Sequence, residues 1–236
     1  MSIGRIHSFQ SLGTVDGPGI RAVVFMQGCP LRCSCCHNPD TWDFSGGTQI
    51  SVQELFNKII RCKKYFGTDG GVTASGGEPL MQAEFLAELF DMLKKEKIHT
   101  ALDTSGYVLN SSVEKLLSKT DLVILDYKYT NEKDYEKYTK SEQNRVDDFL
   151  TYLNDKKIDT WIRQVIISGI NDNEDSVKRL LDLKKKYNCI KKIELLPFKK
   201  LCIEKYRNLN IPFAFENIPE TSKEQIEKLQ IILNDI

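Results

Sequence analysis

The chain has 236 residues, with 33 lysines and arginines against 33 aspartates and glutamates, so its formal net charge is zero. That balance excludes a nucleic-acid binder working by bulk electrostatics, and no apolar run approaches the roughly 20 residues a membrane span needs. Seven cysteines, an odd number, in a chain long enough to bury a full core argue against a disulfide scaffold. The stretch Met1-Ser2-Ile3-Gly4-Arg5 has no apolar signal-peptide core, which points to a reduced, cytoplasmic chain.

In chain order, apolar and β-branched runs predict strands at Ile20–Gln27, Gly71–Ser75, Ile98–Leu102, Leu122–Asp126, Thr160–Ile167 and Lys192–Leu196. Amphipathic patterns between them predict helices at about Val52–Phe66, Gln82–Lys95, Val113–Ser118, Asn144–Lys156, Glu174–Tyr187 and Lys223–Leu233. Ser51 ahead of Val52-Gln53-Glu54 reads as a capping box. No linker, repeat or low-complexity tract divides the sequence, so a single domain over 1–236 is expected. Alternating strands and helices of these lengths predict βαβ units and a parallel sheet. Periodicity leaves open whether that sheet is doubly wound or a partial barrel; six units fall short of the eight of a closed barrel.

The cysteines are concentrated in Gly28-Cys29-Pro30-Leu31-Arg32-Cys33-Ser34-Cys35-Cys36-His37-Asn38. Cys29, Cys33 and Cys36 are spaced C-x3-C-x2-C, three thiolates on one short loop. A cubane iron–sulfur cluster takes four cysteines. Three with no evident fourth leave one iron open, and this spacing resembles the signature of radical S-adenosylmethionine (SAM) enzymes. Zinc is the alternative, with His37 as a fourth ligand. Zinc sites usually come as paired ligands, and Cys62, Cys189 and Cys202 are isolated. Cys35 competes for a ligand role through a C-x-C spacing; the x2 spacing favours Cys36.

In parallel α/β folds sites collect where strands end, and polar residues crowd the ends of the predicted strands. Gly76 and Gly77 permit close backbone approach, and Glu78 offers a carboxylate to an ammonium, as on the SAM amino group. Asp126 and Lys128, two apart, share one face of extended chain; Lys128 suits the SAM carboxylate, and a strand-end ion pair is the plainer reading. Asp103, Thr104 and Asp126 supply oxygens that suit a cation. Arg163 within an apolar run is expected to meet a carboxylate. Lys199 closes the sixth strand. Lys184–Lys186 through Lys191–Lys192 reads as a solvated face or a docking patch for an acidic electron donor.

The match extends beyond single residues. Gly13-Thr14-Val15-Asp16-Gly17-Pro18-Gly19-Ile20-Arg21, Gln27-Gly28-Cys29, Cys36-His37-Asn38-Pro39-Asp40-Thr41-Trp42, Gly71–Glu78, Leu102-Asp103-Thr104, Leu125-Asp126-Tyr127-Lys128, Trp161-Ile162-Arg163 and Ile193–Phe198 resemble the pyruvate formate-lyase activating enzyme family. The resemblance implies a partial (β/α)6 barrel, a [4Fe–4S] cluster on Cys29, Cys33 and Cys36, and SAM as the source of a 5′-deoxyadenosyl radical. That radical would abstract a glycine Cα hydrogen from pyruvate formate-lyase or a close relative. It also implies a SAM site lined by Cys35, Cys36, His37, Gly77, Asp126, Tyr127 and Lys128. Asp16 would face the partner's glycine loop, and Asp103, Thr104 and Asp126 would hold a monovalent cation. A flavodoxin or ferredoxin donor and a monomeric state are expected with it. Two positions depart from the pattern: Cys35 stands where an aromatic residue is usual, and Lys199 where a SAM-contacting histidine is. The expectation that Lys199 reaches SAM follows from its strand end. A cysteine-rich insert seen in activases of other glycyl radical enzymes is absent after Trp42.

Overall fold

A computed structural model describes residues 2–234; Met1, Asp235 and Ile236, which the expected domain 1–236 includes, lie outside the described residues. The chain forms two compact units. The first comprises residues 1–30 and 41–125, and the second residues 31–40 and 126–236.

In the first unit, β1 (Ile3–Gly13) pairs antiparallel with both β2 (Arg21–Met26) and β3 (Thr48–Ser51). From β2 onward the strands run parallel, through β4 (Gly71–Gly76), β5 (His99–Thr104) and β6 (Leu122–Asp126). Their centres are apolar on both faces: Val23, Val24, Ala74, Leu102, Val123 and Ile124 are all fully buried, as parallel strands covered by helices require. Three helices supply the cover. The Ser51 side chain and the Glu54 carboxylate close the expected capping box of α1 (Val52–Ile60). Its Val52, Leu55 and Ile59 make one buried stripe. Helix α2 (Ala83–Lys95) packs on α3 (Ser111–Leu117), and Asn110 caps the latter through Val113 N–H.

The second unit holds the cysteine loop, 31–40, and two parallel strands, β7 (Asp159–Ile166) and β8 (Ile190–Pro197), with Arg163 opposite Glu194. Around them lie α4 (Glu132–Thr139), α5 (Gln143–Asp155), α6 (Glu174–Lys186), α7 (Ile203–Asn208) and α8 (Lys223–Asn234). Asn131 and Asn173 cap α4 and α6. Val146, Phe149, Leu150 and Leu153 of α5 and Val177 and Leu180 of α6 are fully buried.

All six predicted strands and all six predicted helices exist, with ends moved by a few residues. Four elements were not expected: β1, β3, α4 and α7. β1 carries its apolar residues Ile3, Ile6, Phe9 and Leu12 at every third position, outside the two-residue period of a half-buried strand, and of these only Ile6 is buried. α4 and α7 are too short to show a periodic stripe. The predicted Val52–Phe66 helix stops at Ile60 and gives way to a 3-10 turn at Lys63–Tyr65. Among the described residues, no helix is long and apolar enough to cross a membrane.

Candidate functional site

The neck of the cysteine loop belongs to the first unit. Gly28 N–H donates to the Thr41 carbonyl at 2.8 Å and Cys29 N–H to that of Trp42 at 3.4 Å, so the chain enters and leaves the loop side by side. The Gly-Gly-Glu segment supports this neck from β4. Gly77 N–H donates to the Met26 carbonyl and Glu78 N–H to that of Gly28, each at 2.9 Å. A Cβ at Gly76 (φ +109°) would fall 2.4 Å from Met26 N, and one at Gly77 2.4 Å from Gly28 O. The close approach these glycines permit is therefore to the chain's own backbone, just ahead of Cys29.

Glu78 differs most from its sequence reading. It is 1% exposed. One carboxylate oxygen accepts Thr104 Oγ1 at 2.5 Å and Leu80 N–H at 3.1 Å; the other accepts Ser105 N–H at 3.0 Å and Ser105 Oγ at 2.5 Å. Two oxygens offer about four lone-pair positions, and four donors fill them. The carboxylate expected to hold an ammonium instead joins β4 to the end of β5. Burial raises its pKa, while the Ser105, Thr104 and Leu80 donors pull it back. Glu78→Ala strands these donors in the interior and is expected to cost on the order of 3 kcal/mol; the urea unfolding midpoint checks this.

The remaining first-unit residues are ordered by similar contacts. Ser75 Oγ donates to Asp103 at 2.8 Å. Thr104, read as a cation ligand, has its hydroxyl committed to Glu78. Beneath the Asp16 loop lies Arg21, fully buried. Its guanidinium reaches Thr73 Oγ1 at 2.6 Å, the Val72 carbonyl at 2.7 Å and the Pro18 carbonyl at 3.0 Å, and Thr73 Oγ1 also donates to the Asp16 carbonyl at 2.6 Å. Burial lowers the Arg21 pKa to about 10, against the opposing fields of Asp121 and Asp16. The motif containing Arg21 is plain in the sequence. Its work as the internal anchor of the loop is not.

The body of the cysteine loop belongs to the second unit. Unsatisfied carbonyls of the last turn of α4 take two of its N–H groups: Arg32 donates to Thr139 at 3.2 Å and Ser34 to Tyr138 at 2.8 Å. Cys36 N–H donates to the Cys33 carbonyl at 3.1 Å, which places both cysteines on one turn. Asn38 N–H donates to Cys36 Sγ at 3.4 Å, a contact that favours a thiolate. Helix α7 holds the far side: Tyr206 Oη donates to the Cys36 carbonyl at 3.1 Å, and Lys205 Nζ reaches Asn38 Oδ1 at 2.9 Å and Asp40 at 3.0 Å. Neither Lys205 nor Tyr206 carries a sequence signal, because each acts through a loop about 170 residues away.

His37 and Lys199 are brought together in an unforeseen way. His37 Nε2 lies 2.8 Å from the Lys199 carbonyl, while the Lys199 ammonium turns to Glu220 at 3.1 Å and is 41% exposed. The lysine's backbone serves the cysteine loop, and its charge faces an acid near the surface. Lys199→Ala is accordingly expected to leave the SAM dependence of activation unchanged, checked by initial rate against SAM concentration.

At the end of β6, Lys128 Nζ pairs with Asp126, as two residues on one face of extended chain can. Burial alone would lower the Lys128 pKa, but Asp126 and the sulfurs of Cys33 and Cys35 raise it well above the ordinary lysine value. The ammonium thus sits in the field of the loop thiols. Desolvation pushes the Cys35 thiol up to about 11, against the pull of Lys128. Tyr127, between the pair, points elsewhere. Its hydroxyl donates to Asp147 at 2.6 Å and accepts from Gln143 at 2.8 Å, and its N–H and carbonyl bond Arg163 and Gln164 at 3.0 Å each. Its polar groups therefore hold the segment 126–128 to α5 and β7 within the second unit. Arg163 meets the expected carboxylate in Glu194, at 3.1 and 3.2 Å.

The second-unit sulfurs fit an iron–sulfur cluster. Among the described residues, no disulfide joins any of the seven cysteines. Cys33 and Cys36 share a turn, a backbone N–H already addresses one sulfur, and an ammonium lies beside the loop. The Tyr129 hydroxyl, buried with no hydrogen-bond partner, lies in the field of Cys35 and Cys33. Among the described residues, no three His, Cys, Asp or Glu side chains are grouped to hold a single metal ion. A cluster gives each cysteine its own iron.

Comparison with known proteins agrees with this donor set. The family model described as "4Fe-4S single cluster domain" matches residues 15–147. A pyruvate formate-lyase-activating enzyme from Clostridium pasteurianum is 44% identical, the match covering 100% of this chain and 99% of the relative. The pyruvate formate-lyase 1-activating enzyme of Escherichia coli K12 is 42% identical, over 98% and 95% of the two chains. Among solved structures, a domain of pyruvate-formate lyase-activating enzyme from Bacteroides vulgatus matches with a TM-score of 0.58 at 22% identity, over 70% of this chain and 94% of that one. Streptococcus suis SuiB bound to S-adenosylmethionine matches at 0.68 and 15% identity, over 88% and 44%. These structures share the fold, a partial barrel of α/β class, and the six parallel strands it calls for are β2, β4, β5 and β6 in the first unit and β7 and β8 in the second. By its cysteine loop, its fold and its full-length similarity, the chain belongs to the pyruvate formate-lyase-activating enzymes.

Proposed function

We propose that this chain is a radical SAM activase that installs a glycyl radical in a partner enzyme, pyruvate formate-lyase or a close relative. The observation that carries the reading is the cysteine loop, with Lys128 charged in the field of its thiols, in a chain 44% identical over its full length to an activase. Cys29, Cys33 and Cys36 would hold the [4Fe–4S] cluster. When bound, cluster and SAM supply a reductively generated 5′-deoxyadenosyl radical that removes the glycine Cα hydrogen.

The chain's own residues bind and orient. Lys128 offers a full positive charge to the SAM carboxylate, and Asp126 holds that ammonium in place. Cys35, Cys36 and His37 present loop backbone to SAM, their positions fixed by Lys199 O, Tyr206 and the last turn of α4. Gly76, Gly77 and Glu78 act one step removed, by bracing the neck and the end of β5. Asp103, steadied by Ser75, is the best placed of the three residues expected to hold a monovalent cation; Thr104 and Asp126 would have to share groups now given to Glu78 and Lys128. Asp16 would meet the partner's glycine loop, on a turn that Arg21 holds rigid. We assign residues 1–236 to one radical SAM domain acting as a monomer in the cytoplasm, with a flavodoxin or ferredoxin as electron donor.

Anaerobic incubation of the reconstituted chain with pyruvate formate-lyase, SAM and a reductant tests the reading. An electron paramagnetic resonance doublet from a glycyl radical is expected. A cluster-loaded chain that cleaves SAM yet leaves pyruvate formate-lyase silent would redirect the proposal to another partner.

A further inference from the structure

The end of β6 carries one buried group that the binding scheme above does not use. Tyr129 is 2% exposed, and its hydroxyl has no hydrogen-bond partner. An unsatisfied buried hydroxyl costs about 1–3 kcal/mol, so its persistence calls for an acceptor. The groups facing it are the Cys35 thiol foremost, then that of Cys33, with Lys128 opposing them; Cys35 comes near enough to interact with the hydroxyl, but without a hydrogen bond of good geometry.

The ring cannot readily turn away. It packs on Tyr138 with centroids 5.3 Å apart and planes inclined at 36°. The Tyr138 carbonyl in turn accepts Ser34 N–H at 2.8 Å. One turn of α4 therefore fixes both the tyrosine ring and the loop residue between Cys33 and Cys35. A neutral thiol is a weak acceptor. A metal-bound thiolate carries negative charge, and hydrogen bonds to charged acceptors are about twice as strong as neutral ones.

We propose that Tyr129 donates its O–H to the sulfur face that Cys33 presents in the cluster-loaded protein, and so sets the cluster's reduction potential. The inference rests on the cluster reading of the proposed function. A donated hydrogen bond offsets the negative charge that reduction adds, and hydrogen bonds to the sulfurs are among the levers on such potentials. Removing it favours the oxidised state.

The test is a redox titration of reconstituted wild-type and Tyr129→Phe protein without SAM, followed by electron paramagnetic resonance. Tyr129→Phe should bind iron and sulfide like wild type. Its reduction equilibrium should shift about tenfold toward the oxidised form, which is about 59 mV for a one-electron couple. Electron–nuclear double resonance of the reduced cluster in H2O and D2O should show one exchangeable proton in wild type that Tyr129→Phe lacks. An unchanged potential with unchanged proton coupling overturns the proposal. Should Tyr129→Phe fail to bind iron, 3-fluorotyrosine at position 129, nearly isosteric and a stronger donor, is expected to raise the potential, and no rise overturns it. Cys35→Ala should keep the proton coupling; its loss there would show that the hydroxyl serves the Cys35 thiol instead. A wild-type chain that binds no iron would overturn the activase reading itself, an outcome distinct from a loaded cluster indifferent to Tyr129.

Discussion

Cys29→Ala, Cys33→Ala and Cys36→Ala are each expected to abolish the iron–sulfur cluster, while Cys35→Ala retains it. The four thiols stand within eight residues, and composition does not distinguish them. The C-x3-C-x2-C spacing does, and the structure adds physical support. Cys33 and Cys36 share a hydrogen-bonded turn, and a backbone N–H donates to Cys36 Sγ, which favours the ionised sulfur a metal needs. Cys35 stands one residue from Cys36, where the x2 spacing from Cys33 gives the turn to Cys36. Iron and acid-labile sulfide per chain after anaerobic reconstitution measure the outcome. Iron lost from Cys35→Ala and kept in Cys36→Ala would reverse the ligand assignment.

Lys128→Ala and Asp126→Ala are expected to keep the cluster and lose about a hundredfold or more in SAM-dependent turnover. The pair is only part-buried, 21% and 28% exposed. Truncating one member of a fully buried, hydrogen-bonded charge pair costs about 2–5 kcal/mol or more, and each 1.36 kcal/mol is a factor of ten. The lost contact to SAM adds to the loss. The two variants should fail differently. Lys128→Ala removes the charge offered to the SAM carboxylate, so SAM affinity falls directly. Asp126→Ala leaves the ammonium in the field of Cys33 and Cys35, where it can turn toward the sulfurs; affinity should fall less than turnover. Titration of SAM against the cluster spectrum separates binding from the chemical step. Wild-type affinity and turnover in both variants would reduce the pair to a structural ion pair.

Much of this protein was determined by sequence alone, because the determining physics is local. A ligand loop whose cysteines are separated by three and then two intervening residues is written in eight consecutive positions. The Asp126–Lys128 pair follows from the two-residue period of extended chain, and the Ser51 capping box from a three-residue spacing. Parallel strands buried on both faces announce themselves as apolar runs, so β2, β4, β5 and β6 were legible; β7 and β8, buried mainly on one face, were still legible as β-branched and apolar runs. The antiparallel strands and short helices were not: β1 buries three of its eleven residues and β3 none of its four, and α4 and α7 span about two turns or fewer.

Only tertiary structure decided what the polar residues at the strand ends do, because their partners lie far along the chain. Glu78 meets Thr104 and Ser105, and once those donors fill its lone pairs it has none for a ligand. Tyr127 sits between two candidate ligand-binding residues, yet alternation turns its hydroxyl to Asp147 and Gln143. Lys199 occupies the expected strand end, but Glu220 claims its charge and His37 its carbonyl. Tyr129 had no sequence signal at all. Its importance lies in a missing partner, and an unsatisfied buried hydroxyl exists only once the chain is folded around it.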